Sequence, residues 1–352
     1  MEQQDKQHQR RVRYKGTHPK SFKDKYKEMQ PDKYPETVER VIQKGSTPAG
    51  MHISICVREI LDFLQIRPGQ TGLDATLGYG GHTARMLECL ESRGHLYALD
   101  IDREEMEKTG KRLAALGYGP DLLTIKHLNF GDIDQLLGKA GPFDFVLADL
   151  GVSSMQIDNP DRGFSYKTEG PLDLRLNQHR GISAAERLRS IGTEELAGML
   201  AENSDEPYAG EIARAITRKI KKGQAIETTG QLRSVIEEAL GFLPESERQE
   251  CIKKTCQRTF QALRIDVNSE FEVLNQFMEK LPPLLAGGGR VAVLTFHSGE
   301  DRIVKKAFKE LKRQGIYESI AADVIRPSAA ECARNSRARS TKMRWAIKAQ
   351  DR

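Results

Sequence analysis

The sequence has few aromatic residues, a single tryptophan and no long apolar run. Phe, Trp and Tyr make up 6% of its 352 residues. No stretch of about 18 consecutive apolar residues occurs, which excludes a helix able to span a bilayer. The first residues are polar and charged, without the apolar segment of a secretory signal. We therefore expect a cytoplasmic protein that has no membrane partner.

Cysteine is also sparse, and its spacing argues against metal and disulfide frameworks. The five cysteines are an odd number and follow no zinc-ligand spacing. Cys251 and Cys256 stand five positions apart, which favours a packed pair over a pair of ligands. We expect five reduced thiols in a reducing compartment and no metal site.

Positive charge, by contrast, is concentrated at the two ends of the sequence. Residues 1–50 contain 12 Lys and Arg against 7 Asp and Glu, and residues 326–352 contain 8 against 2. Because the whole chain carries +5, the residues between these ends carry −6. Two basic ends on an acidic body predict contact with a polyanion such as a nucleic acid. The alternative is that both ends are simply solvated.

Strand and helix patterns alternate through the first half of the chain. The strand-like stretches "GLDAT", "HLYALDID", "LLTIKHLNF" and "FDFVLADLG" alternate with the helix-like "HTARMLECLES", "EEMEKTGKRLAAL" and "GDIDQLLGKA". This alternation with short loops predicts a parallel sheet covered by helices on both faces. A long polar loop follows Gly151, then helical segments run to about residue 260. A strand from Arg290 to about Phe296, the helix "DRIVKKAFKEL" and a final strand "MRWAIKAQ" complete the pattern.

These patterns divide the chain into three parts. Residues 1–48 form a basic arm rich in Lys, Gln, Pro and Tyr. Residues 49–160 and 261–352 form one α/β domain, and residues 161–260 form an inserted loop and helical domain. Loops as long as the one after Gly151 are usually functional when they occur inside a domain.

A glycine-rich stretch, "DATLGYGGHTARML", lies between the first strand and the next helix. No Lys follows Gly78, Gly80 and Gly81 as in a nucleotide phosphate loop, and Thr83 stands where the dinucleotide fingerprint needs Gly or Ala. Asp100 ends the next strand, where an acidic residue can hydrogen-bond a ribose diol. Dinucleotides and S-adenosylmethionine both carry such a ribose, so the pattern alone leaves both open.

Two further residues follow strands at the same predicted edge of the sheet. Asp149 ends the fourth strand, and open parallel sheets bind their ligands at the carboxyl ends of their strands. A carboxylate there can contact a cofactor or accept a hydrogen bond from a target amine. His297, in "FHSGEDR", follows the later strand and is either a proton acceptor or a structural histidine.

Several long motifs resemble the bacterial small-subunit rRNA cytosine N(4)-methyltransferases, the MraW/RsmH family. They are "DATLGYGGHTARML", "DLGVSSMQIDNPDRGFSYKTEGPLDLRL", "TFQALRIDVNSE", "VAVLTFHSGEDRIVKKAF" and "NSRARSTKMRWA". The resemblance runs from about Thr47 to the C-terminus. It implies a Rossmann-like class I methyltransferase sheet with an inserted helical domain. It also implies methylation, dependent on S-adenosylmethionine, of a decoding-centre cytosine in 16S rRNA of the small ribosomal subunit.

The resemblance also assigns cofactor-binding residues one by one. It places Gly80, Gly81 and His82 in the cofactor loop, Asp100 at the ribose and Phe130 beside the adenine. It adds Asp149 and Gln156 from the motif that follows the fourth strand.

The target-facing candidates come from the long loop and the basic end. Arg162 and Arg175 are candidates for phosphate contacts, and Phe164 or Tyr166 for stacking on an extruded base. The alternative is that the aromatic residues fix the loop to the core while the arginines pair with Asp161 and Asp173. A basic patch of Arg334, Arg337, Arg339, Lys342 and Arg344 completes the candidate RNA surface.

The sequence departs from the family pattern at three positions and in its longer basic arm. Ala75, Met155 and Gly299 stand where the family commonly has Gly, Pro and Leu. A paralogue acting on another RNA, or a ribosome-assembly factor without turnover, therefore remains an alternative. A nicotinamide dehydrogenase is a more distant one. The oligomeric state, monomer or homodimer, is left open.

Overall fold

A computed structural model describes residues 54–351, so the predicted arm of residues 1–48 lies outside the described residues. Seven strands form one sheet in the order β3-β2-β1-β4-β5-β7-β6. The strands are β1 Thr71–Asp74, β2 His95–Asp100, β3 Leu123–His127, β4 Phe143–Asp149, β5 Leu285–Thr295, β6 Tyr317–Ile320 and β7 Lys342–Lys348. Strands β1 to β5 pair in parallel, whereas β7 is antiparallel to both β5 and β6.

Twelve α-helices accompany the sheet within residues 54–351. They are α1 Val57–Leu64, α2 Gly81–Leu90, α3 Arg103–Ala115, α4 Ser154–Asp158, α5 Ala184–Ser190, α6 Thr193–Ser204, α7 Ala209–Lys221, α8 Thr229–Ala239, α9 Glu245–Asn268, α10 Glu270–Lys280, α11 Ser298–Arg313 and α12 Ala329–Arg334. Short 3₁₀ helices cover Phe130–Leu136, Pro160–Arg162, Pro282–Leu284 and Ser336–Ser340. None of these helices is long and apolar enough to cross a bilayer.

Local capping explains where several helices begin. Ser183 caps α5 and Thr228 caps α8 through capping boxes, with Glu186 and Gln231 three positions on returning the hydrogen bond. These pairs satisfy amide groups that a helix N-terminus otherwise leaves without partners. The boundaries of the helical region are therefore encoded locally.

The central strand β4 is buried on both faces. Phe145 and Leu147 belong to an apolar cluster on one face, and Val146 and Ala148 belong to a cluster on the other. All four are fully buried. A strand covered on both sides reads as a continuous apolar run, which is how "FDFVLAD" reads.

A third apolar cluster lies within the helical region. It extends from Leu172 to Leu263 and includes buried residues of α5 to α9. Helix α9 is 24 residues long, and α10 follows it and packs Leu274, Phe277 and Met278 into the core of the sheet. The chain thus returns to the sheet between α9 and α10.

The structure corrects several of the predicted elements. The sheet is not parallel throughout, because β7 inserts antiparallel between β5 and β6. The helix predicted in "GDIDQLLGKA" is a 3₁₀ helix interrupted at Asp132. The strand predicted to start at Arg290 starts at Leu285. Strand β6 and helices α10 and α12 were not predicted.

Candidate active site

The carboxyl ends of β1, β2 and β4 bring three aspartates to one edge of the sheet. Asp74 ends β1, Asp100 ends β2 and Asp149 ends β4. Strand β1 lies between β2 and β4, so the strand order reverses at the β1–β4 pair. Open α/β sheets bind their ligands at such a reversal point.

The glycine-rich loop lies at the ligand-binding edge of the sheet and packs against α3. Gly80 has a positive φ of 80°, and a Cβ atom there would lie 2.7 Å from Thr109 Cγ2 of α3. The Thr109 hydroxyl donates to the Gly78 carbonyl at 2.7 Å. Gly80 is therefore needed in part for packing behind the loop, and the loop's shape is fixed by α3.

Asp100 combines burial with two backbone hydrogen bonds. Its carboxylate accepts from the Gly78 and Asp102 amides, both at 2.8 Å. Burial outweighs these bonds and raises the pKa of Asp100 to about 6. Its oxygens retain acceptor capacity, so a bound ribose hydroxyl could donate to them.

Sequence reasoning missed Asp102, which links the site to the long loop. Its carboxylate accepts from Arg162 Nη1 at 2.7 Å and from the predicted cofactor residue Gln156 at 3.1 Å. It also caps α3 through the Glu105 amide. Burial raises the pKa of Asp102, but the Arg162 guanidinium beside it holds the pKa below its ordinary value. The helix-capping pattern of Asp102 is visible in the sequence, whereas its partners across the fold are not.

The buried His82 and the half-buried Asp149 form a pair at the centre of the edge. His82 Nε2 lies 3.4 Å from Asp149 Oδ2. Within residues 54–351, neither His82 Nε2 nor Asp149 Oδ1 has a hydrogen-bond partner. Burial lowers the pKa of an imidazole, but the Asp149 and Asp74 carboxylates outweigh it and raise the pKa of His82. The imidazole of His82 therefore faces the carboxylate of Asp149 across 3.4 Å.

The surroundings of this pair are acidic. Asp74 is buried and accepts from the Thr83 hydroxyl at 2.6 Å and from the Thr76 amide at 3.1 Å. Glu331 of α12 also raises the pKa of His82, and it accepts from the Cys56 amide at 2.9 Å. Sequence reasoning missed Glu331, because no local pattern places a residue so late in the chain near His82.

Phe130 lies at the end of the loop that follows β3. Its half-buried ring meets Phe277 of α10 edge-on, with 5.4 Å between ring centroids. The neighbouring Leu128 amide bonds to the Asp100 carbonyl at 3.0 Å, which brings the loop next to the end of β2. An apolar wall is therefore present beside Asp100, where the predicted adenine contact needs one.

The four predicted target-facing residues of the long loop make internal contacts instead. Arg162 is 8% exposed and also donates to the carbonyls of Arg175 and Leu176. Arg175 forms a two-point ion pair with Asp173 at 2.8 Å. Phe164 and Tyr166 pack against the helical cluster. These hydrogen bonds fix the loop, as the alternative expected, but Arg162 pairs with Asp102 and not with Asp161. The phosphate contacts of the two arginines remain a prediction.

The predicted basic patch is divided by its ion pairs. Arg334 and Arg339 are exposed, and Arg337 pairs with Asp158 at 3.0 Å. Lys342 and Arg344 both pair with Asp301 of α11, and Arg344 is buried. The last two therefore stabilise the fold. Arg334 and Arg339 form no ion pair with any residue in the part of the chain that the structure describes.

His297 caps its own helix. Its Nδ1 accepts the Glu300 amide at 3.5 Å, and its Nε2 lies 3.2 Å from Glu300 Oε1. Burial raises the pKa of Glu300, but the adjacent His297 outweighs it and the pKa is lowered. These contacts favour the structural role over the proton acceptor.

Two groups of potential metal ligands occur within residues 54–351. In the first, Glu270 is held by Arg264 at 2.8 and 2.9 Å, and its neighbours are the paired His297 and Glu300. The second is Cys56, Glu59 and Glu331, where burial raises the pKa of the Cys56 thiol. A thiol binds metal as the thiolate, so this environment disfavours coordination.

The charge at this edge distinguishes between the two nucleotide ligands. Among residues 54–351, the hydrogen-bond donors to Asp74 and Asp100 are backbone amides and a hydroxyl, and none of these donors is a cation. Such a site repels a pyrophosphate and attracts a cationic sulfonium. The orphaned Asp149 Oδ1 and the Asp100 carboxylate offer acceptors for an amine and a ribose. The fold and site are those of a class I methyltransferase dependent on S-adenosylmethionine.

Comparison with known proteins agrees with this class. The model of the MraW methylase family matches residues 49–349, and the chain belongs to this family.

Its curated relatives include both very similar and more distant proteins. A "Ribosomal RNA small subunit methyltransferase H 1" of Lachnoclostridium phytofermentans is 70% identical over 99% of this chain and 95% of its own. A "Ribosomal RNA small subunit methyltransferase H 2" of Alkaliphilus metalliredigens is 65% identical over 99% of this chain and 100% of its own. A "Ribosomal RNA small subunit methyltransferase H" of Koribacter versatilis is 39% identical over 84% and 94%.

Proposed function

We propose that this protein methylates the exocyclic N(4) amine of a cytosine in 16S rRNA, at the decoding centre of the small ribosomal subunit, in the cytoplasm. The names of the relatives support the substrate class, ribosomal RNA of the small subunit. The motif resemblance supports the base and its position. The observation that carries the proposed chemistry is the unpartnered Asp149 Oδ1 at the edge of the sheet.

The exocyclic amine of cytosine is a weak nucleophile, because its lone pair is delocalised into the ring. S-adenosylmethionine, when bound, supplies a methyl group activated by a positively charged sulfur. In our proposal Asp149 accepts a hydrogen bond from the amine and thereby favours its pyramidal, nucleophilic form. Once the methyl group has moved from sulfur to nitrogen, the positive charge lies on the amine, which then releases one proton through this carboxylate to solvent. His82, whose Nε2 lies 3.4 Å from Asp149 Oδ2, would place an imidazole beside this carboxylate. Fixed geometry and excluded water supply much of the remaining acceleration.

The cofactor would be held by the residues that surround Asp149. Asp100 would accept from the ribose hydroxyls, and Phe130 would pack against the adenine. Gly80 and the first two residues of α2, Gly81 and His82, would bring backbone close to the ligand. Gln156 would keep the following segment in place through Asp102.

Purified protein, labelled S-adenosylmethionine and small subunits from a strain without this modification test the proposal. The RNA is then digested, and the methylated nucleoside is identified and located by mass spectrometry. We expect N(4)-methylcytidine at the decoding centre. Methylation at another site would show that the proposed target is wrong. If the protein did not bind the cofactor, the result would support a ribosome-assembly factor without turnover.

The names of the relatives bear on whether this chain is a numbered paralogue, although all of these names give ribosomal RNA of the small subunit. Relatives aligned over 96–99% of this chain carry names ending in H 1 or H 2. Three relatives aligned over 84–85% are named H alone. Mapping the methylated position in the experiment above separates the two targets.

A further inference from the structure

Helix α11 presents a strongly basic face to solvent. Its exposed cations are Arg302, Lys305, Lys306, Lys309, Lys312 and Arg313. At about 100° per residue, these six positions fall within an arc of about 120°. The opposite side buries Val304 and Phe308 in the core of the sheet. The helix is thus divided into one apolar and one cationic face.

The acidic residues of α11 barely neutralise this face. Glu300 is buried beside His297, and Asp301 is used by Lys342 and Arg344. Only Glu310 pairs on the exposed side, with Arg313.

Four lysines therefore remain uncompensated: Lys305, Lys306, Lys309 and Lys312 have no ion pair or hydrogen bond to any residue from 54 to 351. Arg302 makes only a 3.9 Å contact with Asp205. Such charge density on a body that is acidic overall points to an anionic partner.

The position of α11 relates this face to the proposed active site. Strand β5 ends at Thr295, at the same edge as Asp149, because β4 and β5 are parallel. The helix begins three residues later, at Ser298, and its 16 residues extend about 24 Å away from that edge. The exposed Arg339 lies just before β7, whose Lys342 pairs with Thr295 in the sheet. The basic patch and the lysine face of α11 thus both begin near the carboxyl end of β5.

We infer that the lysine face of α11 binds the phosphate backbone of the RNA substrate outside the target nucleotide. The inference rests on the proposed RNA substrate and extends it to a surface away from the chemistry. Regularly spaced lysines on one helix face suit phosphates without base specificity. Each contact releases counterions, so affinity depends steeply on salt.

The test compares two variants of the full-length chain with equal charge loss. The first is Lys305→Gln, Lys306→Gln and Lys309→Gln. The matched control is Lys111→Gln, Lys139→Gln and Lys221→Gln, three exposed lysines on α3, on the turn after Phe130–Leu136 and on α7. Gln and Lys have similar helix propensity, so both variants keep the fold, and S-adenosylmethionine affinity by calorimetry verifies it.

The readout is filter binding of unmodified 16S rRNA transcript over a salt series. We expect the α11 variant to weaken binding at least tenfold at low salt. The slope of log affinity against log salt should fall by about 2 to 3, at about 0.7–0.9 per phosphate contact. The dispersed variant should stay within about threefold of wild type. Equal effects of the two variants, or wild-type binding by the α11 variant, would overturn the inference.

The wild-type protein and the two variants also distinguish two further outcomes. Loss of binding to phosphatidylserine vesicles with unchanged RNA binding would assign the face to a membrane and overturn the inference. Wild-type protein that binds rRNA through α11 but transfers no methyl group would contradict the proposed function alone.

Discussion

At the scale of single residues, Asp149 decides whether the edge of the sheet is a catalytic site. We expect Asp149→Asn to bind S-adenosylmethionine within a few fold of wild type and to lose about 100-fold or more of methyl transfer. The amide removes the anionic acceptor while keeping the side-chain shape. Single-turnover transfer with calorimetric cofactor binding measures both quantities. Full transfer by this variant would refute the acceptor role.

Asp100 gives the site a dependence on pH. Its pKa is raised to about 6 because burial disfavours the charge, so the carboxyl becomes protonated as the pH falls through 6. Cofactor affinity should then fall by up to about tenfold per pH unit, because a neutral carboxyl accepts less well from ribose hydroxyls. Calorimetry between pH 5 and 8 measures this, and Asp100→Asn should bind weakly without the pH dependence.

The sign of the linked stability effect supplies the control. A carboxyl with a raised pKa binds its proton more tightly in the folded state, so protonation of Asp100 stabilises the unliganded fold. The contribution of this residue to the free energy of unfolding therefore falls as the pH rises through 6. A melting curve of the unliganded protein at each pH shows whether the protein is still folded where binding weakens. If it is folded, unfolding does not explain the weaker binding.

At the scale of elements, the long loop is held by one buried arginine. We expect Arg162→Ala to lower the free energy of unfolding by about 3 kcal/mol, because it leaves Asp102 buried without its cation. Arg162→Lys should restore less than half of the free energy of unfolding that Arg162→Ala loses, since one ammonium cannot replace the hydrogen bonds to Asp102 and to two carbonyls. Urea denaturation measures both.

The exposed Arg180 of the same loop is the matched control, and Arg180→Ala should change stability by less than about 0.5 kcal/mol. If Arg162→Ala reduced RNA affinity at unchanged stability, the phosphate-binding role expected from the sequence would be correct instead.

The elements that periodicity revealed are those with enough length or burial to leave a pattern. Strand β4 and helix α3 could be predicted because a buried run and a capped amphipathic repeat are local properties. Strand β6 has four residues, "YESI", of which only Tyr317 is buried, so its sequence carries no clear alternation. Helix α10 directly follows α9, and only the left-handed Ser269 separates them.

The site was predictable to the same extent. Asp100 and Asp149 could be recognised because they end strands of a parallel sheet. The pairing of Asp102 with Arg162 spans 60 residues, and no spacing rule predicts it. The sequence therefore leaves two roles open for the arginines of the loop, phosphate contact or internal pairing, and the fold pairs Arg162 and Arg175 internally. The proposed domain boundaries remain a prediction.

At the scale of the whole molecule, we expect the basic arm to contribute to RNA binding and the acidic body to bind the cofactor. We expect a chain without residues 1–48 to keep its S-adenosylmethionine affinity and to bind rRNA about tenfold or more weakly. The salt dependence should also be shallower, since the first 50 residues carry 12 Lys and Arg. Filter binding over a salt series measures this, and unchanged binding would show that the arm is only solvated.

The insertion of β7 between β5 and β6 has a consequence for synthesis of the chain. Strand β5 is complete at Thr295 and can pair with β4 on one side. Its neighbour on the other side, β7, begins only at Lys342. On the ribosome, the nascent domain therefore exposes an open apolar edge until that strand is made. Unpaired edges of this kind recruit other chains. Slow elongation between these two strands should thus favour misassembly, and the growing chain should depend there on chaperones.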